Sequence, residues 1–477
     1  MTRVTFSRII ADRARADPHG RLVVDERGSL TARELDRAAT ALAHALVRRG
    51  IGLDDTVVVA LPNGADFVIA CAAVWRAGAT PQPLNPRLLS AERREIERIG
   101  APAAAIGARP ETPGIPWFPS ARIAPAAGPL PDVAASCWKA PATSGSTGRP
   151  KIVRAAAPAL LDPALPVAAF LPRVATQVVA GPLWHSAVFT YAFRGLLTGH
   201  RLVIMDRFDA ARWVALVERH SATWGLLVPT MMSRILRLPE PERAPSRVRS
   251  LERVLHMGSP CSPDLKRAFL AWLGPDRVDE VYAGSESNGL THITGTEWLA
   301  HPGSVGRGIG GTVIAIRDER GADLPPGGVG MIWMHRGDAP AYAYVGARSR
   351  RDADGWDSLA DLGSLDAEGY LFVHDRADDL IDRGGERIAP AVVEAALESH
   401  SAVVEAAAFG VPDDDLGQAV HAVVRLGDPA VTTDEIRAFA VRRLGNRAPA
   451  VVHRAELPLR DEAGKIRRSA LAARVAP

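Results

Sequence analysis

The chain has 477 residues, 47% hydrophobic and 23% charged, with 57 Lys+Arg against 54 Asp+Glu for a net charge of +3. That length exceeds what one hydrophobic core usually serves, so two or more domains are expected, with the composition of an ordinary globular protein rather than a disordered one. Balanced charge without a long basic run argues against nucleic acid as a partner, and three widely spaced cysteines, Cys71, Cys137 and Cys261, argue against a disulfide framework or a zinc pattern.

No apolar leader is expected after Met1, because Arg3, Arg8, Asp12 and Arg13 interrupt the opening segment. The most apolar later stretch, residues 155–171, is broken by prolines and Asp162, so no membrane span and a cytoplasmic location are expected.

Helix and strand patterns alternate from the start. Leu30-Thr31-Ala32-Arg33-Glu34-Leu35 opens an Ala/Leu-rich helix running to about Arg49. The apolar run 56–61 predicts a buried strand stopped by Pro62-Asn63-Gly64, and a second helix is predicted over 65–77, ending at Gly78. Residues 101–135 are rich in Pro and Ala with little periodicity, which predicts irregular surface chain with short strands.

From residue 175 the alternation returns. Strands are predicted at 202–205, 224–228, 251–257 and 278–282, and helices at 210–220 and 264–273. Short apolar strands between helices imply a mostly parallel sheet covered on both faces. Ligands on such sheets bind beyond the strand C-terminal ends, where Gly258-Ser259-Pro260 and Ala283-Gly284-Ser285-Glu286 fall.

After Gly303 short strands and turns suggest a small antiparallel or barrel-like unit, and the last hundred residues are the size of a small domain. The fold expected is α/β: a large N-terminal domain, 1–377, of mostly parallel sheets flanked by helices plus the small β unit, then a small α+β domain, 378–477.

Only four cations are lysine: Lys139, Lys151, Lys266 and Lys465. Lys139 and Lys266 carry no motif and read as chance survivors in an Arg-rich chain. Lys151 closes Thr143-Ser144-Gly145-Ser146-Thr147-Gly148-Arg149-Pro150-Lys151, and Lys465 follows Gly464. A compact, flexible ammonium suits phosphate and carboxylate oxygens at close range, where a planar guanidinium does not always fit. The first motif adds hydroxyls and consecutive backbone N–H groups, and its glycines let the chain curl round phosphate oxygens. Its spacing is not that of a Walker loop.

Residues 143–151 resemble the phosphate loop of the acyl-adenylate-forming superfamily: acyl- and aryl-CoA synthetases, peptide-synthetase adenylation domains and beetle luciferases. Five more segments resemble that family's motifs in its order. They are Pro182-Leu183-Trp184-His185; Tyr282-Ala283-Gly284-Ser285-Glu286; Ala360-Asp361 with Gly369-Tyr370-Leu371; Asp375-Arg376-Ala377-Asp378-Asp379; and Leu457-Pro458 with Gly464-Lys465-Ile466-Arg467-Arg468.

The resemblance implies ATP, Mg²⁺ and CoA, and an acid activated as acyl-AMP. It places ATP on Thr143, Ser144, Gly145, Ser146, Thr147, Gly148 and Lys151, and on Gly258, Ser259, Pro260, Tyr282, Ala283, Gly284, Ser285, Asp361 and Arg376. It gives Mg²⁺ to Glu286, the bridge between substrate carboxylate and α-phosphate to Lys465, and a gating role at the acyl pocket to His185. Trp184, His185, Phe189, Gly258 and Gly284 are the implied pocket. A C-terminal domain swinging about Asp378 would replace Lys465 by the Gly384-Gly385-Glu386 loop, which lines the CoA channel.

Departures from the family pattern are Ala283, Ala360 and Asp375, each standing for a usual Gly, and Asp382, a carboxylate near the implied channel. Residues 183–189 contain no carboxylate to pair with an amino-acid ammonium, so an amino acid is not expected; Trp184, Phe189, Gly258 and Gly284 suit a roomy apolar pocket and an apolar, bulky acid. The segment 293–307 resembles that of CoA ligases of fatty, steroid or polycyclic acids. Two alternatives to a full CoA ligase are adenylation alone, with acyl-AMP handed to a carrier protein or partner enzyme, and a non-catalytic ligand-binding homologue.

Overall fold

A computed structural model describes residues 3–126, 128–144, 150–413, 415–461, 464, 466 and 468–475. The predicted alternation builds a nine-stranded sheet. Its central strands, Arg21–Asp25, Arg201–Ile204, Thr176–Val179, Trp224–Leu227, Arg253–His256 and Val278–Ala283, lie parallel in that spatial order. Antiparallel strands close both edges.

Adjacent residues on these strands serve opposite faces. Leu202, Ile204, Trp224, Leu226 and Leu255 enter one core, while Val203, Leu227 and Val254 enter another. Burial on both faces is why the strands read as unbroken apolar runs rather than alternating ones. A second, parallel sheet carries Thr80–Pro83, Thr56–Ala60, Ala104–Gly107 and Trp117–Phe118. The helix Ala65–Arg76 packs on that sheet, and against it lies the helix Ala32–Arg48, started by a reciprocal cap between Thr31 and Glu34.

The later β unit is a four-stranded antiparallel sheet of Val313–Arg317, Gly330–His335, Asp361–Leu365 and Leu371–Arg376. Among the described residues these four strands pair in that order, and the strand Tyr342–Val345 pairs with Pro150–Ala155. That pairing ties the strand after the phosphate-loop motif to the chain beyond the large sheet.

The C-terminal region has its own apolar core, drawn from Ile381 to Val452. A five-stranded sheet is covered by the helices Pro390–Glu398 and Thr433–Leu444. Pro390 opens its helix at a position where the missing N–H costs nothing. No helix among the described residues is long and apolar enough to cross a membrane.

Candidate active site

The parallel strands all end at one edge, and the motif residues gather there. Glu286 follows Val278–Ala283 and is buried. Gly284 makes its fold-back possible: an added Cβ would overlap Leu359 and lie 2.8 Å from Glu286 Oε2. Lys151 Nζ stands 3.1 Å from Glu286 Oε1, and Tyr344 OH donates to the same oxygen at 2.6 Å. Lys151 also donates to Tyr344 OH at 2.7 Å. Burial pushes the Glu286 carboxyl up, but Lys151 and Tyr344 outweigh it and hold the group below its ordinary value. The sequence-predicted lysine and carboxylate are thus brought together, by way of a tyrosine that sequence reasoning missed.

Tyr282 and Asp361 form a second pair. The phenol donates to Asp361 Oδ2 at 2.5 Å, while Arg376 Nε lies 3.4 Å from Oδ1. Register places Asp361 opposite Arg376 in the antiparallel sheet. Burial raises the Asp361 carboxyl, and the hydrogen bond and guanidinium offset only part of that rise. Ala360, just before it, has φ +65° and is buried. A Cβ in the left-handed region costs ~1–2 kcal/mol, so the substitution of a usual Gly is carried at a local cost.

Gly258, with φ +96°, leads from the strand Arg253–His256 into Ser259 and Pro260. A Cβ on Gly464 would sit 3.4 Å from Ser259 Oγ, 3.5 Å from Val228 Cγ2 and 3.7 Å from Thr230 Oγ1. The residue before Lys465 therefore packs on the strand-end edge. Lys465 itself lies outside the described residues, as do Gly145, Ser146, Thr147 and Gly148 and the side chain of Ser144. Thr143 is described, opposite Lys151 in register, and its Oγ1 is buried without a hydrogen-bond partner among the described residues.

The acyl-pocket residues separate. His185 occupies the N-cap position of the helix Ser186–Thr198, its ring 6.4 Å from that of Trp184. Phe189 turns inward instead and is 0% exposed, packed among Phe67, Trp75, Trp138 and Phe193. It builds the core.

The two lysines read as chance survivors are neither exposed nor idle. Lys139, 3% exposed, donates to Ser186 Oγ and Thr190 Oγ1, each at 2.7 Å, on that same helix. Burial, with Arg194 adding, pushes its pKa down to about 7. Lys266, 0% exposed, lies 2.8 Å from Glu280 and bonds His256, beneath the Gly258–Pro260 turn. A lysine kept where arginine is the habit was itself the available signal.

Asp378 pairs with Arg350 at 3.5 Å. Gly384 and Gly385, with φ +61° and +86°, turn the hairpin between Ile381–Arg383 and Glu386–Ile388. Asp382 caps that turn by accepting from Gly385 N at 3.0 Å, which accounts for the unexpected carboxylate. Glu386 accepts from Asn446, and Arg387 reaches Glu319. None of these partners belongs to the strand-end cluster. Asp375 also has a structural explanation: it accepts from Ala391 N at 2.9 Å, capping the helix Pro390–Glu398 across the implied hinge.

Residues 10–128 and 132–344 match the AMP-binding enzyme family, and residues 392–465 match the AMP-binding enzyme C-terminal domain. The chain belongs to the AMP-binding enzyme family. It is an enzyme of the adenylate-forming class, and curated relatives of it are named CoA ligases. It is 30% identical to the sulfoacetate–CoA ligase of Cupriavidus necator, over 97% of this chain and 96% of that protein. To the 4-coumarate–CoA ligase-like 9 of Oryza sativa it is 29% identical, over 93% and 87%. The fold matches that of the o-succinylbenzoate CoA synthetase of Bacillus subtilis, solved with its acyl-adenylate, at a TM-score of 0.82. That alignment covers 99% and 98% of the two chains at 24% identity.

The residues present fit a family metal. Mg²⁺ takes one or two carboxylates and otherwise phosphate and water, so a single ionised Glu286 suffices. The Thr143 hydroxyl, in register with Lys151 and without a partner among the described residues, is suited to a phosphate oxygen.

Proposed function

We propose that this enzyme activates an apolar, bulky carboxylic acid as acyl-AMP and transfers the acyl group to CoA. The observation that carries the reading is the convergence of Lys151, Glu286 and Gly464 on one strand-end edge, from three distant parts of the chain. In the first step a substrate carboxylate oxygen bonds to the α-phosphorus of ATP and the bond to pyrophosphate breaks. Lys465 bridges the carboxylate and α-phosphate, while Lys151 and the 143–148 loop hold the phosphates. One well-aimed donor at developing charge is worth ~2.7–4 kcal/mol.

Bound Mg²⁺, held through Glu286, would neutralise charge on the phosphates. Asp361 accepts the ribose hydroxyls, and Arg376 orients that carboxylate. Gly258, Ser259, Pro260, Tyr282, Ala283, Gly284 and Ser285 line the nucleotide, and Trp184 and His185 face the acid. In the second step the CoA sulfur bonds to the acyl carbon and AMP leaves. The domain boundary at 377/378 and a swing about Asp378 bring Gly384, Gly385 and Glu386 to that reaction.

The absence of carboxylates in residues 183–189 argues against an amino acid, and the apolar face of Trp184 beside His185 supports an apolar acid. The test is a panel of decanoate, cinnamate, 4-coumarate, cholate and sulfoacetate, with pyrophosphate release and thioester formation followed separately. Both products from a bulky apolar member are expected. Turnover of sulfoacetate alone would overturn the substrate class, and pyrophosphate without thioester would favour transfer to a carrier protein.

A further inference from the structure

We infer that Arg234 is a positioning residue for adenylation: through Glu405 it holds the loop that carries Lys465 against the strand-end edge. This rests on the reading that Lys465 acts in the first half-reaction. The helix Pro229–Leu236 begins where the strand Trp224–Leu227 ends, and Thr230 and Arg234, four residues apart, share one face of it. Thr230 and Ser259 form the surface on which Gly464 packs. One turn along, Arg234 Nη2 reaches Glu405 Oε1 of the C-terminal domain at 3.4 Å.

Glu405 is buried on the strand Val403–Asp413, and its other oxygen accepts from Leu459 N at 2.9 Å. Leu459 is the root of the loop. The loop's described residues are tied to one another and to their domain: Arg460 bridges to Ile466, Gly464 N donates to Asp461 O at 2.9 Å, and Arg460 is anchored to Glu398 at 3.3 Å. The carboxylate that fixes the loop to its own domain is the one that the N-terminal helix grips. Swinging the C-terminal domain away must break the Arg234 contact but none of the contacts inside the loop.

Arg425 also lies 3.4 Å from Glu405, so the carboxylate keeps a counter-ion when Arg234 is removed. Arg234, 45% exposed, is therefore dispensable for folding while it biases one domain arrangement over the other.

The experiment compares Arg234→Glu, Arg234→Lys and Lys465→Ala, using the fastest acid of the panel and its chemically prepared acyl-AMP. Arg234→Glu should slow pyrophosphate release by about tenfold, the effect of roughly 1.4 kcal/mol of lost bias, and leave thioester formation from supplied acyl-AMP unchanged or faster. Arg234→Lys should restore most of the loss, and melting temperatures should agree with the parent. Equal loss of both half-reactions in Arg234→Glu, or no change in either while Lys465→Ala still separates them, would overturn the inference. If Lys465→Ala fails to separate them, the reading of Lys465 falls instead.

Discussion

Tyr282 donates to Asp361 at 2.5 Å, joining the end of a parallel strand in the large sheet to the start of an antiparallel strand in the smaller one. The two residues sit 79 apart in sequence, and their bond fixes the carboxylate proposed to take the ribose hydroxyls. Replacing Asp361 by Ala removes charge-assisted hydrogen bonds worth ~1.5–3 kcal/mol. The KM for ATP should rise by about ten- to a hundredfold, measured by pyrophosphate release, with the KM for the acid much less affected. Tyr282→Phe should give a smaller rise in the same direction.

Ala360 offers a stability test. Its φ of +65° places a Cβ where glycine would have none. Ala360→Gly removes ~1–2 kcal/mol of strain and loses ~0.4–1 kcal/mol through a freer unfolded chain. A net gain of up to about 1.6 kcal/mol is expected, read as a higher denaturant midpoint for the N-terminal domain. A lower midpoint would show that the local backbone is not strained.

Lys139 predicts a pH dependence. Its pKa falls from 10.5 in the unfolded chain to about 7 in the folded protein, chiefly through burial. Between those values the unfolded state binds more protons, so this group's contribution makes stability rise with pH. The cost is fully present below pH 7 and relieved as pH climbs toward 10. Lys139→Met should flatten that rise, by up to ~1.4 kcal/mol per pH unit, when unfolding of the two proteins is compared across pH 7 to 10. Parallel curves would show that Lys139 does not titrate in this window.

Asp382 and Asp375 separate structural carboxylates from chemical ones. Asp382→Ala removes the cap of the Gly384–Gly385 turn, so thioester formation should fall severalfold while pyrophosphate release is retained. Asp375→Ala removes a helix-capping acceptor and should cost ~0.5–2 kcal/mol of stability in the C-terminal domain.

Much of this was legible in the residues themselves. The helix Ala210–His220 and the strand Trp224–Leu227 follow from apolar runs between breakers, as does the helix opening at Ala32. Lys151 and Glu286 stood in motifs, and the fold brings them within 3.1 Å. What sequence could not supply was the direction of side chains whose partners lie far away. Lys139 meets Ser186 across 47 residues, and nothing local marks that hydroxyl as its acceptor. Phe189 lies on a helix apolar on most sides, so the face that meets the core could not be read from its periodicity. Asp375 looked like a departure from a chemical pattern because its N–H partner, on Ala391, lies 16 residues on, whereas the Asp382 partner, Gly385 N, is only three residues away and was open to a reading of the turn.

The most direct measurement concerns Lys465→Ala, assayed separately for acyl-AMP formation from free acid and for thioester formation from supplied acyl-AMP. Loss of the first with retention of the second is predicted. Equal loss of both would contradict the account.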